Sequence, residues 1–463
     1  MVDVPDYQTT DEGREYEKNV MLVLQGEKKD YPSYFGGLKV ASGVEFTVNS
    51  PIDDSIRFGI FQEPEDHIMV EAVTAAVKTL DTWRYVPAEE RASYFEKALK
   101  VLQVRRQFYA AAVTVATGMI REDALAEVDR LIEVMSKCIE DAKTLGRKKP
   151  VGVWAVLSAH NSPLASPVGH AVAAMIAGNT VVMCPSKHCP TPVYMFYELM
   201  ERYGLPAGVL NLVVDRKDES TEELANDMRV LGIVATGSGE RLEDLMFLQV
   251  DDELKFINEI KGMNPAIVYK PANMKDAVRD IVSSAFTYAG QGMFCCSKVI
   301  ITPDDQNKFM TALQEAVKDM RIGDPVNDTT FVGPLISKDA VKRFKQVVSD
   351  NMQYVVMKGA PVLDAPDGNY VSPVVMAGIE EDNDLNYMDT GLPILTVKVV
   401  DTIDDAFLEL EDTECGQSAG LFSRDGNTIG RFKNDVDVPQ KYINCSSRTL
   451  KVARQTDLSD YVM

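Results

Sequence analysis

From Val151 onward the chain repeatedly sets a short, wholly apolar run against a longer amphipathic stretch. VGVWAVLS leads to SPVGHAVAAMIAG, NTVVMCP to TPVYMFYELMERYG, and GVLNLVV to STEELANDM, before VLGIVATGS closes the series. A strand apolar on both faces has to be covered on both faces. Such strands alternating with helices build a parallel sheet. The pattern excludes an all-helical or all-β fold and predicts an α/β protein. Residues 151–258 are expected to form the core of a doubly wound, nucleotide-type unit. That core completes an N-terminal region, 1–258, which also carries short strands over 36–50 and long helices over 66–143. PAIVYK, KVIITP, ILTVKVVD, SAGLFS and KYINCS, with helical stretches between them, predict a second α/β unit over 259–440. Residues 441–463 are left as a short tail.

Composition narrows the function classes. Lys and Arg number 48 against 70 Asp and Glu, a formal charge of −22. Binding a nucleic acid needs a basic face, so no nucleic-acid partner is expected. No apolar run reaches the ~18 residues that span a bilayer, and no membrane partner is expected. The polar, acidic start carries no signal-peptide pattern. Seven scattered cysteines fit reduced thiols and a cytoplasmic location. Four histidines without ligand spacing predict no metal site.

Three segments carry candidate chemistry. The loop LSAHNSP follows the first buried strand, where ligands of this fold sit. Its Asn161 can donate an amide hydrogen bond to a developing oxyanion, or simply form a turn before Pro163. In ATGSGER, Thr236, Gly237 and Ser238 can present N–H groups and a hydroxyl to a phosphate, or can cap a strand–helix turn. Glu259, in NEIKGMNP, is either a general base or a solvated loop carboxylate.

Taken in order and spacing, these segments resemble the aldehyde dehydrogenase superfamily, nearest its glutamate-γ-semialdehyde (1-pyrroline-5-carboxylate) dehydrogenase branch. The similar text includes SPIDDSIRFGIFQ, GVWAVLSAHNSPLASPVGHAVAAMIAGNTVV, YGLPAGVLNLV, GMNPAIV, IVSSAFTYAGQ, RIGDPVND, VGPLIS and TECGQSAGLFSRD. The resemblance implies two doubly wound domains and NAD(P)-dependent oxidation of an aldehyde to an acid. A cysteine would attack the aldehyde, Asn161 would stabilise the oxyanion, and Glu259 would activate water. Pro185, Ser186, Thr236, Gly237, Ser238 and Asp389 fall on cofactor-binding positions.

The sequence departs from the family at several of these positions. GQGMFCCSK keeps Gly290, Gln291, Ser297 and Lys298 but puts Met293 at the nucleophile position, and a thioether cannot become a thiolate. Cys295 is the nearest replacement. Cys184 stands in place of a cofactor-binding Lys, Leu242 in place of a Gly, and Gly391 in place of an aromatic ring. Asp389 is one methylene shorter than the family Glu that binds the nicotinamide ribose. Together these changes imply weakened binding of NAD or NADP. The substrate-anchoring segment after YIN is missing, and about ten residues before Val151 leave no room for the family's two-stranded oligomerisation arm. An arm-exchanged dimer is therefore not expected. The leading expectation is a catalytically degenerate protein that serves as a binding or assembly partner of another protein. The rival is an active oxidoreductase with Cys295 as a relocated nucleophile.

Overall fold

A computed structural model of the chain describes residues 11–25, 30–65, 67–146, 148–216, 219–238, 254–362, 365–413, 416–450 and 456–463. Leu242 lies outside the described residues, as does the C-terminal stretch 451–455.

The apolar runs form the parallel heart of two seven-stranded sheets. In the first, Val153–Leu157 pairs in parallel with Thr180–Cys184 on one side and Val230–Ser238 on the other. Leu210–Leu212 extends the sheet beyond Thr180–Cys184. Strand order reverses between Val153–Leu157 and Val230–Ser238. The crevice above their carboxyl ends is where an open α/β sheet receives ligands. The second sheet is centred on Lys298–Ile301, flanked by Ala266–Val268 and Ile394–Val399.

Three boundaries differ from expectation. The first unit does not end at 258, because Lys255–Lys261 is its edge strand, parallel to Val230–Ser238. Glu259 thus stands on a strand, directly across from Thr236. KFINEIK mixes charged and apolar residues as an edge strand does, so it lacks the continuous apolar run of its neighbours. The tail after 440 is no separate appendage. Gln440–Ile443 adds the outermost strand of the second sheet, parallel to Ser418–Phe422. Further on, Tyr461 is buried against Trp154 with ring centroids 4.7 Å apart, and Pro150 pairs with Val462. The long helix expected over 87–118 is two, Ala88–Val104 and Arg106–Thr117, broken at Arg105 (φ −104°, ψ 25°).

Among the described residues, no strand pair lies between the helix Arg121–Asp141 and Val153. None of their helices is long and apolar enough to cross a membrane.

Candidate active site

At the switch point of the first sheet lies a cleft of about 400 Å3, lined by Asn161, Pro185, Ser186, Thr236, Gly237 and Asp389 among others. A second space of about 370 Å3 opens on the far side and is lined by Asn161, Met293 and Cys295. Asn161 is therefore shared by both. Its side chain is 6% exposed, and neither amide atom has a hydrogen-bond partner among the described residues. Leaving such a group buried and unpaired costs about 1–3 kcal/mol. A donor held this way, between two cavities, is arranged for a ligand oxygen.

Thr236, Gly237 and Ser238 are not a phosphate-binding turn that opens a helix. They are the last residues of the strand Val230–Ser238. The Thr236 hydroxyl accepts a hydrogen bond from the Ala159 N–H at 2.8 Å, tying the two strands together across the switch point. That contact engages the hydroxyl assigned to a phosphate from the sequence. Pro185 and Ser186 turn the chain after Cys184, and the Ser186 carbonyl accepts from the Cys189 N–H.

Glu259 is not a solvated loop residue, being 2% exposed. Two side chains one turn apart on the helix Ala165–Ile176 hold it. The Ser166 hydroxyl donates to one carboxylate oxygen, and His170 Nε2 lies 3.0 Å from the other. His170 Nδ1 in turn meets the Tyr461 hydroxyl. The space beside the carboxylate is a chamber of about 30 Å3, walled by Met293 and Phe294 among others. A volume of this size admits one water at most.

Met293 is buried, and its thioether faces the space that a nucleophile would occupy beside Asn161. The loop around it is pinned. Asn264 Nδ2 donates to the carbonyls of both Met293 (2.9 Å) and Cys295 (3.1 Å). Asn264 Oδ1 accepts from the N–H groups of Gln417 and Ser418. At Gly290, which has φ +74°, an added Cβ would lie 2.4 Å from the Leu392 carbonyl oxygen. Sliding Cys295 back by two residues would break both Asn264 bonds. The Cys295 thiol is instead buried and donates to the Thr287 carbonyl at 3.3 Å. Burial pushes it up to about 12, far from a thiolate at neutral pH.

Asp389 forms a buried ion pair with Lys261 from the edge strand, accepts the Ser297 hydroxyl, and accepts the Gly391 N–H at 3.2 Å. Both charged side chains are at most 5% exposed. Sequence reasoning missed Lys261, whose partner lies 128 residues away with no local signal. It also missed Ser166 and His170, although their spacing of four puts them on one helix face.

The comparisons agree with this geometry. Residues 40–455 match the model of the aldehyde dehydrogenase family. The chain is 25% identical over 437 residues to 1-pyrroline-5-carboxylate dehydrogenase of Geobacillus sp. (strain WCH70), spanning 90% of this chain and 85% of that one. It is 26% identical to alpha-ketoglutaric semialdehyde dehydrogenase of Bacillus subtilis (strain 168), over 91% of each chain. A mutant of Thermus thermophilus 1-pyrroline-5-carboxylate dehydrogenase has the same fold, with a TM-score of 0.93 at 20% identity, covering 99% of this chain and 96% of that one. With its two sheets, its switch-point cleft and a match over most of its length, the chain belongs to the aldehyde dehydrogenase family.

Proposed function

We propose that this chain is a catalytically degenerate member of the family, which binds a ligand or a protein partner and no longer oxidises aldehydes. The ancestral reaction is NAD(P)-dependent oxidation of a semialdehyde of the glutamate type. The observation that carries the reading is the thioether of Met293, held beside Asn161 by a loop with both neighbouring carbonyls pinned. Covalent attack on an aldehyde needs a group that can lose a proton, and a thioether has none.

The remaining groups support the same reading. Cys295 is a protonated, hydrogen-bonded thiol in this setting. The Glu259 carboxylate is engaged by Ser166 and His170 in a chamber too small for a thioester and its attacking water. The residues at the nicotinamide end of the cleft fit NAD or NADP poorly. Asp389, at the position that would hold the ribose, already has Lys261, Ser297 and the Gly391 N–H as donors.

The test is NADH or NADPH formation by purified protein with glutamate semialdehyde and a panel of aldehydes. No turnover above background is expected. Saturable turnover abolished by Cys295→Ser would overturn this reading in favour of the relocated thiol.

A further inference from the structure

The cleft beside Asn161 keeps its volume, and its lining is polar and cationic in a protein of charge −22. Lys187, Lys261 and Arg343 line it, against Asp215 and Asp389. Lys261 and Asp389 neutralise each other. Arg343 projects from the helix Lys338–Asp350 and donates to the Thr390 carbonyl at 3.0 Å. It forms no ion pair with any described residue. The rings of His160 and His188 meet edge to face with centroids 6.1 Å apart. Asn161 adds its unpartnered, buried amide. Donors converging from an arginine fork, two imidazoles and an amide suit a tetrahedral dianion better than a flat carboxylate.

At the inner end, the buried Lys261–Asp389 pair stands where the family resemblance puts the nicotinamide ribose. Any ligand reaching that far has to separate a cation from an anion, both out of water, and a buried charge left without its partner is strongly disfavoured.

We propose that this cleft binds a small organic phosphate, of mononucleotide size or less, and rejects a dinucleotide. The proposal rests on the reading of the chain as non-oxidising and gives that reading its ligand class. The phosphate is held by Arg343, Asn161 and the histidine pair. The Lys261–Asp389 pair closes the space beyond it.

Burial, with His188, Arg343 and Lys261 nearby, pushes His160 down to about 3. A bound dianion reverses that field and favours its protonated, doubly donating form.

Calorimetric titration of the full chain with AMP, ribose 5-phosphate, inorganic phosphate and NAD tests this. AMP or ribose 5-phosphate should bind at least tenfold tighter than NAD. Arg343→Ala, at an exposed position that leaves the fold intact, should weaken the tighter of the two at least tenfold. Lys261→Gly should raise NAD affinity while leaving AMP within about threefold. No binding of either organic phosphate, or NAD bound tighter than both by the unmodified protein, overturns the proposal. Inorganic phosphate binding as tightly as both esters would show an anion hole without a built pocket and also overturns it. These outcomes are separate from NADH formation, which bears on the loss of oxidation alone.

Discussion

The cleft beside Asn161 holds about 400 Å3, whereas the chamber beside Glu259 holds about 30 Å3. Their walls explain the difference. The cleft is bounded by charged and hydrogen-bonded groups, such as the Lys261–Asp389 pair and Thr236 tied to Ala159. Such groups cannot fold inward without stranding a charge or a donor. The chamber is bounded largely by Met293, Phe294 and Val134, which close on each other as apolar side chains do. Space for a ligand has thus been kept while space for hydrolysis has been lost. The two halves of the ancestral reaction decay separately, because different forces hold their volumes open.

The sharpest way to break this comparison is to remove the prop of the larger space. Lys261→Ala leaves Asp389 buried without its cation, and should cost about 3–5 kcal/mol in urea unfolding. Lys261→Met with Asp389→Leu should recover most of that loss, because both charges go together. If the single variant is as stable as the parent, the pair does not hold the cleft.

The next test acts on the smaller space. Met293→Cys puts an ordinary thiol beside Asn161, whereas Cys295 is pushed up to about 12. The difference in thiolate fraction predicts alkylation roughly a thousandfold faster at 293 than at 295. NADH formation should not return with it. Peptide mapping after iodoacetamide reads the first half and absorbance at 340 nm the second.

A pH series reaches both spaces at once. Cys138, Cys189, Cys295 and Cys296 are each pushed up from 9.0 to about 12 by burial. The unfolded chain releases these protons first, so their contribution is intact below pH 9 and falls as pH rises toward 12. Each thiol sets an upper limit of roughly 1.4 kcal/mol lost per pH unit in that window. Denaturant midpoints measured from pH 7 to 11 should decline from about pH 9, and a flat profile would contradict the burial of these thiols. Smallest of all, Cys295→Ser should shift stability by about 1 kcal/mol and leave aldehyde-dependent NADH formation at background.

The sequence made the alternating architecture readable because each central strand is continuously apolar over its own few residues. Asn161 was readable because the loop after a buried strand is where this fold meets its ligand. Thr236 was read at the right end of the right strand but with the wrong partner, since Ala159 reaches it from a different loop. Lys261 with Asp389, and Tyr461 with His170, join residues 128 and 291 apart. No local periodicity records such pairs. Ser166 and His170 did share a visible spacing, but one helix face says nothing of the carboxylate that arrives there from a strand 93 residues later.

Tyr461 bears on how the chain is made as well as on how it is held. Its ring lies against Trp154, its hydroxyl meets His170, and its carbonyl accepts from Asn179, so the first sheet's core is finished by residues translated some three hundred positions after that sheet begins. During synthesis the early unit therefore waits with an aromatic socket open until the ribosome has passed position 461. Contacts this distant in sequence form late and slowly. A stalled or prematurely terminated product would expose that socket to chaperones and to aggregation, although every strand of its central sheet had already been made.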